Sequence, residues 1–163
     1  MAEQLSADAF KYITLGIQSE IAAYVFYKNG SAKVADQKVK ETMLRLANEE
    51  RNHFLKLESH YDRYVRSEMW VTYRDIMSRD GLPDIDESMG QKHVKRLEQV
   101  QKAQSTVEIL QIALELEKEA HDLYSEALKT ATEPDVKETF ELLADFEASH
   151  IRNVEAMIAR AGS

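Results

Sequence analysis

Apolar residues recur along this chain at the i, i+3, i+4, i+7 spacing of helices that bury one face, and they do so in four long stretches. In the first, Phe10, Ile13, Ile17, Glu20, Ala23, Tyr24 and Tyr27 fall on one side. The second aligns Met43, Leu46, Ala47, Glu50, His53, Phe54 and Leu57. The third aligns Leu110, Ala113, Leu114, Glu117, His121, Tyr124 and Leu128, and the fourth Phe140, Leu143, Ala144, Glu147, His150, Ile151, Val154 and Ile158. Start signals bound them: Ser6, Asp36, a Ser105/Glu108 capping box, and Thr132 with Pro134 close behind. The pattern predicts helices over 6–32, 37–65, 105–130 and 133–160, with Gly30 near the end of the first. Residues 66–104 read as a long connection. It holds a short helix (Met69, Trp70, Tyr73, Ile76, Met77) and then the turn-rich Arg79-Asp80-Gly81-Leu82-Pro83-Asp84. Two tight helical hairpins joined by one long crossover between helices 2 and 3 make an all-α, antiparallel four-helix bundle.

The two hairpins repeat each other. At an offset of 97 residues, Glu20 falls on Glu117, Tyr27 on Tyr124, Glu50 on Glu147 and His53 on His150, and no gap is needed. Lys40, Glu41 and Thr42 likewise fall on Lys137, Glu138 and Thr139. Such a repeat predicts packing about a pseudo-two-fold axis. At 1.5 Å per residue, Glu117 and Glu147 both lie ~20 Å from their shared turn. They therefore stand at one level, and the same holds in the first hairpin.

Four glutamates thus sit in the middle of apolar stripes. An unpaired buried carboxylate costs several kcal/mol, and four together repel one another. The histidines and scattered lysines offer no evident cationic partner there, whereas two divalent ions supply +4. Each Glu-x-x-His pair (Glu50/His53, Glu147/His150) puts a carboxylate and an imidazole on adjacent turns of one face. Oxygen and nitrogen donors without sulfur suit iron or manganese, with zinc a possible substitute. The alternative is a metal-free bundle with a buried polar layer. Glu41, Glu49, Glu58, Glu115, Glu119 and Glu138 read as a solvated face. Tyr27 and Tyr124 read by spacing alone as core aromatics. His121, four residues after Glu117, is a hydrogen-bonding neighbour of the site or a further ligand.

Composition narrows the field. With 163 residues the chain reads as one domain over 1–163, and Gly 5 with Pro 2 is too little turn material for a many-stranded fold. Cys 0 excludes disulfides, thiol catalysis and cysteine-held iron. A net charge of −8 argues against nucleic acid, and no run of apolar residues suits a membrane span or a signal peptide. A cytoplasmic protein is expected, as a homodimer or higher homo-oligomer.

Glu20-x6-Tyr27, Glu50-x-x-His53, Glu117-x6-Tyr124 and Glu147-x-x-His150 together resemble the rubrerythrin-like branch of the ferritin-like di-iron carboxylate superfamily. The likeness covers both hairpins and not the crossover. It implies a ferritin-like bundle holding two iron ions. Glu50 and Glu147 would be bridging ligands, with Glu20 and His53 terminal on one ion and Glu117 and His150 on the other. It also implies that Tyr27 and Tyr124 hydrogen-bond ligand carboxylates across the site. The activity implied is redox chemistry on O2 or hydrogen peroxide. Without the cysteines of a rubredoxin-like domain, electrons would come from an external donor, rubredoxin-like or a flavoprotein. Ala120 stands where rubrerythrins carry the extra glutamate that accompanies peroxidase action, and Arg51 where bacterioferritin-like chains carry a haem-binding methionine. A ferroxidase or iron-storage role, or a metal-stabilised bundle without turnover, are the alternatives. The repeat further predicts that His53→Ala and His150→Ala perturb metal binding alike.

Overall fold

The computed structural model describes residues 6–65 and 87–162, with side chains described for 6–61 and 91–162. Short polar side chains open the helices as anticipated. The Ser6 hydroxyl accepts from Ala9 N–H at 3.2 Å and starts α1 (Ala7–Ser31). Asp36 Oδ1 accepts from Lys38 and Val39 N–H at 2.9 and 3.1 Å, ahead of α2 (Gln37–Val65). After α3 (Glu87–Lys102) comes Ser105, which caps α4 (Thr106–Thr130) by accepting from Glu108 N–H at 3.2 Å. α5 (Pro134–Ala161) departs from expectation: Glu133, not Thr132, is its N-cap, and no side chain caps it. Pro134 removes one donor that would otherwise need a partner. The Glu133 carboxylate instead accepts from Ser6 N–H at 2.6 Å, tying the start of α1 to the start of α5.

The two hairpins α1–α2 and α4–α5 dock through α1 on α4 and α2 on α5. Among the described residues there is no strand, and the bundle has the expected wiring. Its core divides in two. One apolar cluster, including Ile13, Ile17, Phe54, Leu57, Phe140 and Leu143, fills one end. The other, including Phe26, Met43, Leu46, Leu110, Leu116 and Val154, fills the opposite end. Each large side chain so buried contributes roughly 1.5–3 kcal/mol. The layer between them is polar. No described helix is long and apolar enough to cross a membrane.

The crossover differs from the sequence reading. The Met69–Met77 helix lies outside the described residues, and 87–102, read as part of a loop, is α3. This helix packs on α1 and α4. Val100 is buried, and Lys33 Nζ donates to its carbonyl at 2.9 Å at the helix C-terminus. Buried Arg96 reaches Glu119 Oε1 at 2.5 Å. Its inward face, His93, Arg96, Leu97 and Val100 at the i, i+3, i+4, i+7 spacing, is a short amphipathic stripe with only two apolar members, which the sequence reading passed over as part of the connection.

Candidate metal centre

All six residues singled out by the repeat meet in the polar layer. Glu20, Glu50, Glu117 and His150 are each 1% exposed, Glu147 0% and His53 6%. Their donor atoms form two groups, Glu20–Glu50–His53–Glu147 and Glu50–Glu117–Glu147–His150, with the donors of each group within 4.8 Å of one another. Glu50 and Glu147 belong to both. His53 Nδ1 lies 3.3 Å from Glu50, 3.5 Å from Glu147 and 3.6 Å from Glu20. His150 Nδ1 lies 3.0 Å from Glu50, 3.3 Å from Glu147 and 3.4 Å from Glu117. The imidazoles stack, with ring centroids 5.5 Å apart.

The tyrosines cross between hairpins. Tyr124 on α4 donates to Glu20 Oε1 on α1 at 2.5 Å, and Tyr27 on α1 donates to Glu117 Oε1 on α4. Gly16 makes room for this: a Cβ there would stand 2.9 Å from Leu57 Cδ1 and 3.1 Å from Tyr124 Cε1.

Electrostatics correct one expectation. Burial raises Glu50 well above the carboxylate range, and the charges of Glu20 and Glu117 add to it. Burial also raises Glu147, reinforced by Glu50, Glu20 and Glu117. Burial would raise Glu20 too, but the neighbouring Glu50 carboxyl and His53 imidazole, the His53 charge and the Tyr124 hydroxyl outweigh it, leaving about 2. Glu117 is lowered against burial by His150, Glu147 and Tyr27. Burial disfavours charge on His53, yet Glu147, Glu20 and Glu50 hold it protonated to about 12. His150 is raised in the same way by Glu117, Glu147 and Glu50. The two histidines are therefore the cationic partners that the sequence did not reveal. The raised carboxyls of Glu50 and Glu147 and the raised imidazoles of His53 and His150 thus offset the charge that four ionised glutamates would carry.

The polar groups are nonetheless short of partners. Glu20 Oε2, Glu50 Oε2, His53 Nδ1 and both Glu147 oxygens are buried without a hydrogen bond. Each orphaned atom costs about 1–3 kcal/mol. The four carboxylates and two imidazoles offer only hard or intermediate donors, converging on two adjacent points. The residues fit a pair of divalent ions.

Other sequence readings need correction. His121 does not join the cluster: its side chain is 37% exposed, with Nδ1 3.8 Å from Asp122. Residues four apart on a helix differ by about 40° in direction, and here that turns His121 outward. Of the supposed solvated glutamates, Glu58 is buried, and Glu119 pairs with Lys92 and Arg96. Glu49 accepts from His150 Nε2 at 2.8 Å. Trp70 and Tyr73, on the short helix read within the connection, lie outside the described residues.

The arrangement defines a ferritin-like bundle around a buried carboxylate–histidine cluster. A family model, Rubrerythrin, matches residues 108–163, which include Glu117, Tyr124, Glu147 and His150. No curated protein sequence matches the chain. Among solved structures, it resembles a manganese catalase from Anabaena (TM-score 0.73, 16% identity, covering 99% of this chain and 77% of that one). It also resembles a Thermotoga maritima protein described as ferritin-like diiron-carboxylate (TM-score 0.66, 23% identity, 99% of each chain). A hypothetical protein from Pyrococcus furiosus is similar as well (TM-score 0.66, 19% identity, 93% of this chain and 88% of that one). The fold is thus ferritin-like, and the sequence of α4 and α5 is rubrerythrin-like, in line with the motif resemblance.

Proposed function

We propose that this protein holds two iron ions and carries out redox chemistry on O2 or hydrogen peroxide, drawing electrons from an external donor. The observation that carries the reading is the pair of overlapping four-residue groups that share Glu50 and Glu147. In this reading Glu50 and Glu147 would be shared by both ions. Glu20 and His53 would serve one ion, and Glu117 and His150 the other. A bound di-iron pair supplies an electron reservoir and Lewis acidity at one dry site. The chain's own residues do the rest. Tyr124 and Tyr27 each hold one oxygen of a terminal carboxylate, so that the other faces the centre. The apolar clusters on either side keep bulk water out. Protonated Glu50, Glu147, His53 and His150 exchange protons for ions on loading, since metal ligands must be deprotonated. The same donors suit manganese, the metal in the name of the Anabaena catalase.

The test starts from metal-free protein given Fe(II) anaerobically. About two ions per chain should bind, and peroxide or air should then change the near-ultraviolet absorption. A stoichiometric change renewed only by added reductant supports the oxidase or peroxidase reading. Continued consumption of excess Fe(II) would favour a ferroxidase. Two bound ions with no oxidation would leave a metal-stabilised bundle, and protein that binds no ions overturns the site.

A further inference from the structure

The internal repeat holds for every residue facing the centre and fails one step outside it. Glu49 maps by the 97-residue offset onto Phe146, and Arg45 maps onto Leu142. On α2, Arg45 Nη1 pairs with Glu49 Oε1 at 2.8 Å, and Glu49 Oε2 receives His150 Nε2 at 2.8 Å. Both carboxylate oxygens are thereby engaged. On α5 the corresponding positions are apolar and part-exposed, Leu142 at 38% and Phe146 at 41%. The Phe146 ring lies against His53, with centroids 4.9 Å apart. Among the described residues no carboxylate pairs with His53 Nε2.

We infer that the two metal positions are unequal. Glu49, acting through His150, makes the position served by Glu117 and His150 the tighter one and the first to fill, while Phe146 leaves the His53 position weaker. This rests on the di-metal reading of the site. A carboxylate can only accept, so the Glu49 contact commits His150 Nε2 as donor. It leaves Nδ1, 3.0–3.4 Å from the three glutamates of its group, as the nitrogen that faces the centre. Fixing the tautomer and ring orientation in this way raises ligand basicity, and loss of such a partner costs typically 10–100-fold in metal affinity. Aromatic packing fixes the plane of His53 but accepts no proton. Glu49 is therefore a positioning residue, and the asymmetry departs from the equal roles that the repeat predicts for His53 and His150.

The experiment titrates metal-free, full-length protein with Co(II), read by calorimetry, by visible absorption and by the hyperfine-shifted imidazole N–H signals in NMR. Wild type should bind in two steps at least about tenfold apart. The first equivalent should bring up one N–H signal that exchanges slowly with solvent, the His150 proton held by Glu49. Glu49→Ala should weaken the tighter step about 10–100-fold, leave the weaker one in place and speed exchange of that signal. Glu49→Gln, which still accepts a hydrogen bond, should fall between. Phe146→Glu should tighten the weaker step alone. Melting of the metal-free variants checks that the fold is kept. Two equal steps in wild type, or a Glu49→Ala effect shared by both steps or absent, overturn the inequality while the di-metal site stands. A protein that binds no Co(II) overturns both.

Discussion

Tyr124→Phe removes a single hydroxyl and leaves the ring, so it isolates the hydrogen bond that crosses from α4 to α1. The Tyr124 hydroxyl donates to Glu20 Oε1 at 2.5 Å, with the tyrosine 0% and the glutamate 1% exposed. His53 Nδ1 approaches Glu20 at Oε2, 3.6 Å away, and not at the oxygen that the phenol holds. Packing of the ring against Phe140, centroids 6.2 Å apart, survives the change. A buried hydrogen bond to a charged acceptor contributes about 1.5–3 kcal/mol. At roughly 2–4 °C per kcal/mol for a chain of this size, the metal-free variant should melt about 3–12 °C lower. Denaturant and thermal unfolding followed by circular dichroism measure this. A cycle with Glu20→Gln separates the pair from its surroundings and should return a coupling of about 1 kcal/mol or more. Tyr27→Phe, which frees Glu117, should behave alike. A loss below about 0.5 kcal/mol for Tyr124→Phe, the range of an ordinary surface substitution, would refute the account of how Glu20 is held.

Further tests follow from the centre's charges and packing. In metal-free protein, the stability that Glu20 contributes is complete above its unfolded pKa of ~4.3 and lost as pH falls through about 2. Glu50 and Glu147, raised on folding, contribute stability below ~4.3 that is lost as pH climbs through their folded values. His53 adds a loss from ~6.5 upward, towards about 12. These groups together place maximum metal-free stability near pH 4–5 by linkage, roughly where the glutamates titrate when unfolded. The melting-temperature gain on adding Fe(II) or Mn(II) should then widen from pH 5 to 8, and metal-free stability that climbs over that range contradicts the assignment. Glu50→Ala and Glu147→Ala should each lower bound metal from about two ions per chain, read by elemental analysis, because each residue belongs to both groups. Retention of two tight ions would disprove the sharing. Gly16→Ala should destabilise by about 1–3 kcal/mol, less the gain in helix propensity, because the new methyl meets Leu57 and Tyr124. Stabilisation by this change would show that Tyr124 moves aside freely.

Much of the centre could be read from the chain because its signals reinforce one another. Helical period, the offset repeat and glutamates on apolar faces all select the same six residues, and the hairpin turns set them at one level. What escaped has local physical causes. α3 packs through a short stripe, His93, Arg96, Leu97 and Val100, in which two of four members are polar, so it is a weaker signal than the long apolar faces of the bundle helices. Glu49 sits next to Glu50, about 100° around the helix, and so reads as solvent-facing; only the approach of α5 brings it His150. The protonated histidines were hidden for a similar reason. Beside the glutamate three residues earlier, their pKa values depend on two carboxylates each from other helices, which no one-helix pattern contains.

The crossed tyrosines and shared glutamates have a consequence for how such a centre could arise. Each four-residue group takes three members from one hairpin and one from the other: Glu20, Glu50 and His53 with Glu147, and Glu117, Glu147 and His150 with Glu50. A lone hairpin is thus a three-quarter site that cannot close on itself. Two identical copies, docked about a two-fold axis, would complete both. A one-hairpin ancestor would have gained its centre by pairing, at a concentration-dependent cost. Joining two copies through a crossover turns that encounter into an intramolecular one, with an effective concentration set by the length and stiffness of the link. Once the copies share a chain, each can drift where it does not face the centre, and the exchange of Glu49 for Phe146 is what such drift looks like.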